Sequence, residues 1–254
     1  MIANHKLKLG SLLLVIAMGI IFVFCMDAIP QDPCYHLFAD SRDLLSVPNF
    51  WNVVSNIPFL IIGFFGMYFS IQKKQNRIHF KLLRNNFVFF LGIFFTGIGS
   101  AYYHFHPTSQ TLVWDRLPMT ISFMAFFSII IGEFICVRSG ASILMPLIAI
   151  GLLSIIYWQI TASKGQGDLR FYALVQFLPL LLIPFILLMF KANGEIKIYV
   201  WLILLMYLMA KFFEATDVFV FDRTNFISGH SIKHIIAAVG PFIFLIVFNK
   251  KLSS

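Results

Sequence analysis

The chain has 254 residues, 59% of them hydrophobic and only 12% charged, with a mean hydropathy of +0.87. A soluble domain of this size carries about 25% charged residues, so the composition excludes a water-covered globule and requires a bilayer as solvent. The formal charge of +8 does not mark a nucleic-acid binder. The basic residues flank apolar stretches, as do Lys73, Lys74, Arg77, Lys81 and Arg84, where membrane topology accounts for them.

A helix needs roughly 20 apolar residues to cross about 30 Å of hydrocarbon. In chain order the qualifying stretches are 9–26, 50–71, 85–103, 117–137, 143–160, 171–190, 198–213 and 229–248. The first follows Lys6 and Lys8 and reads either as a signal peptide or as a retained anchor. Its long uncharged run, with no small-x-small site after it, favours the anchor. The expectation is an all-α multi-pass membrane protein, with residues 1–254 forming one transmembrane domain. No obligate protein partner is inferred. Cys25, Cys34 and Cys136 lack metal-type spacing, and spacing alone leaves a Cys25–Cys34 disulfide open.

With the N-terminus in the cytoplasm, 12 of the 19 Lys and Arg residues fall inside, including Arg138, Lys191, Lys197, Lys250 and Lys251. Most acids then fall outside: Asp27, Asp32, Asp40, Asp43, Asp115, Asp168, Glu214, Asp217 and Asp222. An even number of spans returns the C-terminus to the cytoplasm, in keeping with the positive-inside rule.

Three polar motifs share the outer ends of their helices. Gly99-Ser100-Ala101-Tyr102-Tyr103-His104 closes the third span, Trp114-Asp115-Arg116-Leu117-Pro118-Met119 opens the fourth, and Ser228-Gly229-His230-Ser231-Ile232-Lys233-His234 opens the last. Ionisable groups in a span are costly, so clustering at one depth points to a shared site. His230 and His234 are four apart and share a helix face, a spacing that one zinc ion can bridge. The alternative is a pair of histidines that only form hydrogen bonds at a helix end. His104 is the natural third ligand. His106, just before Pro107 and so outside the helix, is its competitor, followed by His36. His5 and His79 fall on the inner side. Asp115 either pairs with Arg116 as an interfacial anchor or takes a proton from metal-activated water. Ser100 either packs at a close helix contact or offers its hydroxyl to a substrate carbonyl. Lys211 and Glu214 meet across one helical turn, as an ion pair rather than a substrate contact.

Ser-x-x-x-His ending one span, Asp-x-x-Pro-Met opening the next and His-x-x-x-His in the last resemble the alkaline ceramidases, within the group of seven-span membrane hydrolases called the CREST superfamily. The resemblance starts at Asn49-Phe50-Trp51-Asn52-Val53-Val54-Ser55-Asn56 and runs through His234. It implies a seven-helix core preceded by one extra N-terminal span. It also implies a zinc ion (Zn2+) on His104, His230 and His234, with Ser100 and Asp115 beside it. The implied reaction is hydrolysis of an N-acyl sphingoid lipid, or a similar lipid amide in the bilayer, to fatty acid and free amine. In that reading Asp115 moves the proton, and zinc and Ser100 stabilise the oxyanion. One departure stands out. The eukaryotic members carry an acidic calcium-binding segment ending in a glutamate before Phe-Trp-Asn. Here that position is Asn49, and Arg42 sits between Asp40 and Asp43. A guanidinium in the place of the metal argues against calcium, so Asp40, Arg42 and Asn49 are read as structural or as a second layer around the site. Two rival functions stand beside the hydrolase: a lipid-binding receptor or sensor keeping the fold and metal without turnover, and a transporter. A site near one membrane face disfavours the transporter.

Overall fold

The computed structural model of the protein describes residues 2–72, 82–191 and 194–253. Lys73, Lys74, Arg77, His79 and Lys81 lie outside the described residues. Eight described helices are long and apolar enough to span a membrane: His5–Cys25, Phe50–Gln72, Leu83–Phe105, Leu112–Phe134, Val137–Ser163, Arg170–Met189, Glu195–Ala215 and Gly229–Lys250. They match the expected spans one for one, and no strand occurs among the described residues.

The helices are α1 (Ile2–Cys25), α2 (Phe50–Val54), α3 (Ile57–Gln72), α4 (Leu83–Phe105), α5 (Leu112–Phe134), α6 (Val137–Ser163), α7 (Arg170–Met189), α8 (Gly194–Ala215), α9 (Asp217–Thr224) and α10 (Gly229–Ser253). The second span is split into α2 and α3. Pro58 has no N–H to offer Val54, and the Asn56 side chain instead donates to the Asn52 carbonyl at 2.8 Å. The fourth span begins earlier than hydropathy suggests and ends at Phe134, while Val137 opens the fifth. Asp115 and Arg116 therefore lie inside α5, in its first two turns. An acid there is favoured by the helix dipole.

α4 and α5 form the centre and pack on α3 and α6, while α10 packs on α3 and α8. Their buried faces meet around Phe90, Met124, Ile129, Ile130 and Leu144. Large apolar residues such as Phe64, Phe65, Phe95, Ile98 and Phe177 remain exposed, as lipid-facing residues should. α1 is peripheral and packs on α7, where Lys8 Nζ lies 5.5 Å from the centre of the Phe190 ring.

Two glycines set the helix spacing at the polar end. A Cβ on Gly99 would fall 1.9 Å from the Trp114 carbonyl oxygen. Pro118 leaves that carbonyl without its helical donor, so α4 closes onto α5 at this level, next to Ser100 and Asp115. A Cβ on Gly229 would fall 2.3 Å from the Phe213 carbonyl oxygen, which seats the start of α10 against the end of α8. The end of α4 and the starts of α5 and α10 thus converge at one end of the bundle.

Candidate functional site

His104, His230 and His234 are buried together, their candidate ligand atoms all within 4.8 Å of one another, and the group could hold a metal ion. Nε2 of His104 and Nε2 of His230 stand 3.4 Å apart. The ring centres of His104 and His234 are 4.8 Å apart, and those of His230 and His234 are 5.0 Å apart. His106 is exposed at the end of α4 and stays outside the group. His36 also stands apart, with Nδ1 3.0 Å from the Tyr103 hydroxyl and Nε2 3.1 Å from Ser109 Oγ. Burial, and then the nearby Arg116 charge, lower its pKa.

Behind the histidines lies a polar wall on α2 and its two caps, of which sequence reasoning singled out Asn49 alone, as structural or in a second layer around the site. Ser55 Oγ is 2.8 Å from Nδ1 of His234 and 3.3 Å from the Asn52 carbonyl oxygen. A hydroxyl that spends its hydrogen on that carbonyl accepts from Nδ1–H, which leaves the lone pair of His234 on Nε2. Asn49 Nδ2 donates to the His104 carbonyl at 2.9 Å, and Ser231 Oγ donates to Asn52 Oδ1 at 2.7 Å. Asn52 lies within α2, with Asn49 and Ser55 at its two caps, and their spacing of three was the available signal. Asp217, which the sequence places among the outer acids, also belongs to the site. It accepts from His230 N–H at 2.7 Å and from Ala39 N–H at 3.1 Å, capping α10 and tying it to the N-terminal loop.

Ser100 and Asp115 face each other across the α4–α5 contact, their side chains interacting. Arg116 does not pair with Asp115. Its guanidinium carbon lies 4.6 Å from the centre of the Trp158 ring and 4.9 Å from that of Tyr172. Lys211 Nζ reaches Glu214 at 2.5 Å, the ion pair expected from their spacing. The same carboxylate also receives Lys233 Nζ at 2.9 Å, and Lys233 Nζ lies 3.0 Å from His230 Nε2. That lysine, between the two histidines, is the main polar residue of the site to which sequence reasoning attaches no role.

The Asp40–Arg42 pair is closed. Arg42 Nε and Nη2 reach the two Asp40 oxygens at 2.8 and 2.7 Å, and Nη2 also meets the Phe226 carbonyl at 2.6 Å. These hydrogen bonds to Asp40 raise the Arg42 pKa further. Asp43 is exposed and takes no part. Cys25 and Cys34 are free thiols.

A cavity of about 210 Å³ opens beside the histidines, lined by Ser100, Asp115, Arg116, Glu214, Lys233 and His234 among others. Below it an apolar chamber of about 160 Å³ runs between α3, α4, α5, α7, α8 and α10. Phe59, Thr96, Met119, Tyr207 and Ala237 line both. The arrangement offers a polar chamber at one end of the bundle and a place for a hydrocarbon chain beneath it.

No curated protein matches the chain. Among protein families, the one described as Ceramidase matches residues 45–252. The matched stretch runs from α2 through both histidine-bearing helices, and by it the chain belongs to the ceramidase family.

Proposed function

We propose that the protein is a zinc-dependent membrane hydrolase that cleaves the amide bond of an N-acyl lipid to fatty acid and free amine. The observation that carries the reading is the meeting of His104, His230 and His234 with Asp115 and Ser100 at the polar end of a cavity that continues into an apolar chamber.

The residues fit a metal. Two nitrogens bound at about 2.0–2.1 Å to a tetrahedral ion stand about 3.3 Å apart, and the facing Nε2 atoms of His104 and His230 are 3.4 Å apart. Three imidazoles without a thiolate suit zinc at a catalytic centre, with a position left for water. Lys233 competes for the same lone pair of His230, so its ammonium must move off toward Glu214, which already holds it at 2.9 Å. When bound, the ion supplies Lewis acidity, polarising a carbonyl and making water reactive near neutral pH.

The chain's own residues do the rest. The apolar chamber holds the acyl chain, which fixes the amide carbonyl at the polar end. Asp115 accepts a proton from the attacking water and delivers it to the amine nitrogen as the carbon–nitrogen bond breaks. Ser100 donates its hydroxyl hydrogen to the carbonyl oxygen as negative charge develops there. Calcium has no part in this scheme, because Arg42 stands on Asp40 where a cation would. Both termini lie in the cytoplasm and the site opens toward the outer side, as the distribution of basic residues supports.

The test is fatty-acid release from ceramides and other N-acyl lipids by purified protein in nanodiscs. Asp115→Asn should keep its zinc and lose roughly 10²-fold or more in rate, the usual worth of a positioned acid–base group. The His230→Ala, His234→Ala double variant should lose the metal. If Asp115→Asn releases fatty acid at the wild-type rate, or if zinc-loaded protein binds such lipids without cleaving any, the hydrolase reading fails in favour of a lipid sensor.

A further inference from the structure

Three cations line the polar chamber; Lys211 and Lys233 pair with Glu214, whereas the surroundings of Arg116 are unusual. Arg116 is 7% exposed, and its Nη1 is buried without a hydrogen-bond partner. Among the described residues no carboxylate stands within ion-pairing distance of it. Tyr35, Trp158 and Tyr172 surround the guanidinium, their ring centres 5.5, 4.6 and 4.9 Å away. Aromatic faces stabilise the charge of a desolvated cation, but they accept little from its N–H groups. Those donors stay planar, forked and free, the geometry that suits a carboxylate or another oxyanion. Trp158 adds to the imbalance, since its indole N–H is also buried without an acceptor.

The rest of the chamber has the same bias. Glu214 serves both Lys211 and Lys233, so one carboxylate answers two ammonium groups. With Arg116 and Asp115 included, the lining carries three cationic side chains against two carboxylates. A chamber walled by hydrocarbon would be stabilised by one more negative charge, which no described residue supplies. Arg116 lines the polar chamber and not the apolar one beneath it. A lipid amide with its acyl chain below and its carbonyl at the histidines would therefore place its amine side toward Arg116.

We propose that the substrate carries an anionic group on its amine side, as an N-acyl amino acid does, and that Arg116 binds that group. The proposal rests on the amide-hydrolase reading of the same site and narrows its substrate class. A neutral amide such as a ceramide leaves the guanidinium fork unfilled.

The test compares N-oleoylglycine with its neutral counterpart N-oleoylglycinamide, which differs only in the charge beyond the amide. Binding is measured on zinc-loaded Asp115→Asn protein in nanodiscs by tryptophan fluorescence, and oleate release on the wild type. The acid should bind about 10- to 100-fold more tightly, the worth of charge-assisted hydrogen bonds. Arg116→Met, which keeps the bulk stacked between the aromatics, should bring that ratio close to one. The ratio is read within each variant, so a folding defect that weakens both ligands leaves it intact. A ratio near one in the protein with Arg116 present, or a ratio that survives Arg116→Met, overturns the proposal. Competition by oleate or inorganic phosphate as strong as by N-oleoylglycine overturns it too, since the site would then take any anion. A large ratio lost in Arg116→Met, with no oleate released from any amide, would uphold the anion site and overturn the hydrolase instead.

Discussion

Replacing Ser55 by alanine removes a single hydroxyl from the wall behind His234. Ser55 is 6% exposed, and its Oγ lies 2.8 Å from His234 Nδ1. Against a neutral imidazole such a bond contributes about 1 kcal/mol, but against a ring polarised by a metal it becomes charge-assisted and contributes about 1.5–3 kcal/mol. Only the difference, about 0.5–2 kcal/mol, bears on the metal equilibrium, because the remainder is present in the metal-free protein as well. Zinc affinity of Ser55→Ala should therefore fall about 10-fold, at the low end of what partners of ligating histidines are worth. Competition between the purified protein in nanodiscs and a fluorescent zinc chelator measures this directly. A Ser55→Ala protein with wild-type zinc affinity, alongside a His234→Ala protein that loses the metal, would refute the reasoning. The Ser55 hydroxyl would then have no part in holding His234 as a ligand.

Arg42→Met should lower the melting temperature by stranding the buried Asp40 carboxylate, and Asp40→Asn in the same protein should recover most of the loss. A melting temperature unchanged by Arg42→Met would show that the Asp40 pair does not hold the N-terminal loop. Hydrolysis should be insensitive to calcium chelators that spare zinc, whereas a strong calcium requirement would show that Arg42 does not take the cation's place. At the α6–α7 loop, burial alone would raise the Asp168 pKa, but hydrogen bonds from Arg170 and Tyr157 outweigh it and hold it at about 2 against an ordinary 3.8. A depressed carboxylate stabilises the fold above its unfolded pKa and loses that contribution as pH falls through the folded value. The melting temperature should thus drop more steeply from pH 4 to pH 2 in the wild type than in Asp168→Asn, and parallel curves would exclude that linkage. Reporter fusions after Arg84 and after Ser254 should both report the cytoplasmic side, and disagreement between them would require an odd number of spans.

What the sequence determined by itself follows from the solvent. A bilayer forces every backbone polar group to be paired within its own helix, so hydropathy alone located the spans and excluded a sheet. Ionisable residues at membrane depth are few and costly, which is why the positions of His104, Asp115, His230 and His234 along their spans suffice to group them. Helical periodicity placed His230 and His234 on one face, and the restriction that Pro107 puts on the residue before it placed His106 outside its helix. Hydropathy erred at the edges: α5 begins at Leu112, because Trp114, Asp115 and Arg116 look like loop residues until the bundle supplies their partners. The partners themselves were out of reach. That Ser55 meets His234, that Asp217 caps α10, and that Lys233 reaches Glu214 are contacts between residues 13 to 179 positions apart. No local pattern encodes which of many polar side chains will meet across helices. The close approaches at Gly99 and Gly229 decide it, by setting how near α4 comes to α5 and α10 to α8. The choice between two readings of Asp115 had the same cause. Asp115 and Arg116 are adjacent in sequence, but successive helical residues point about 100° apart. Packing turned Arg116 into the aromatic cage of Tyr35, Trp158 and Tyr172 and left Asp115 lining the polar chamber with Ser100 and His234.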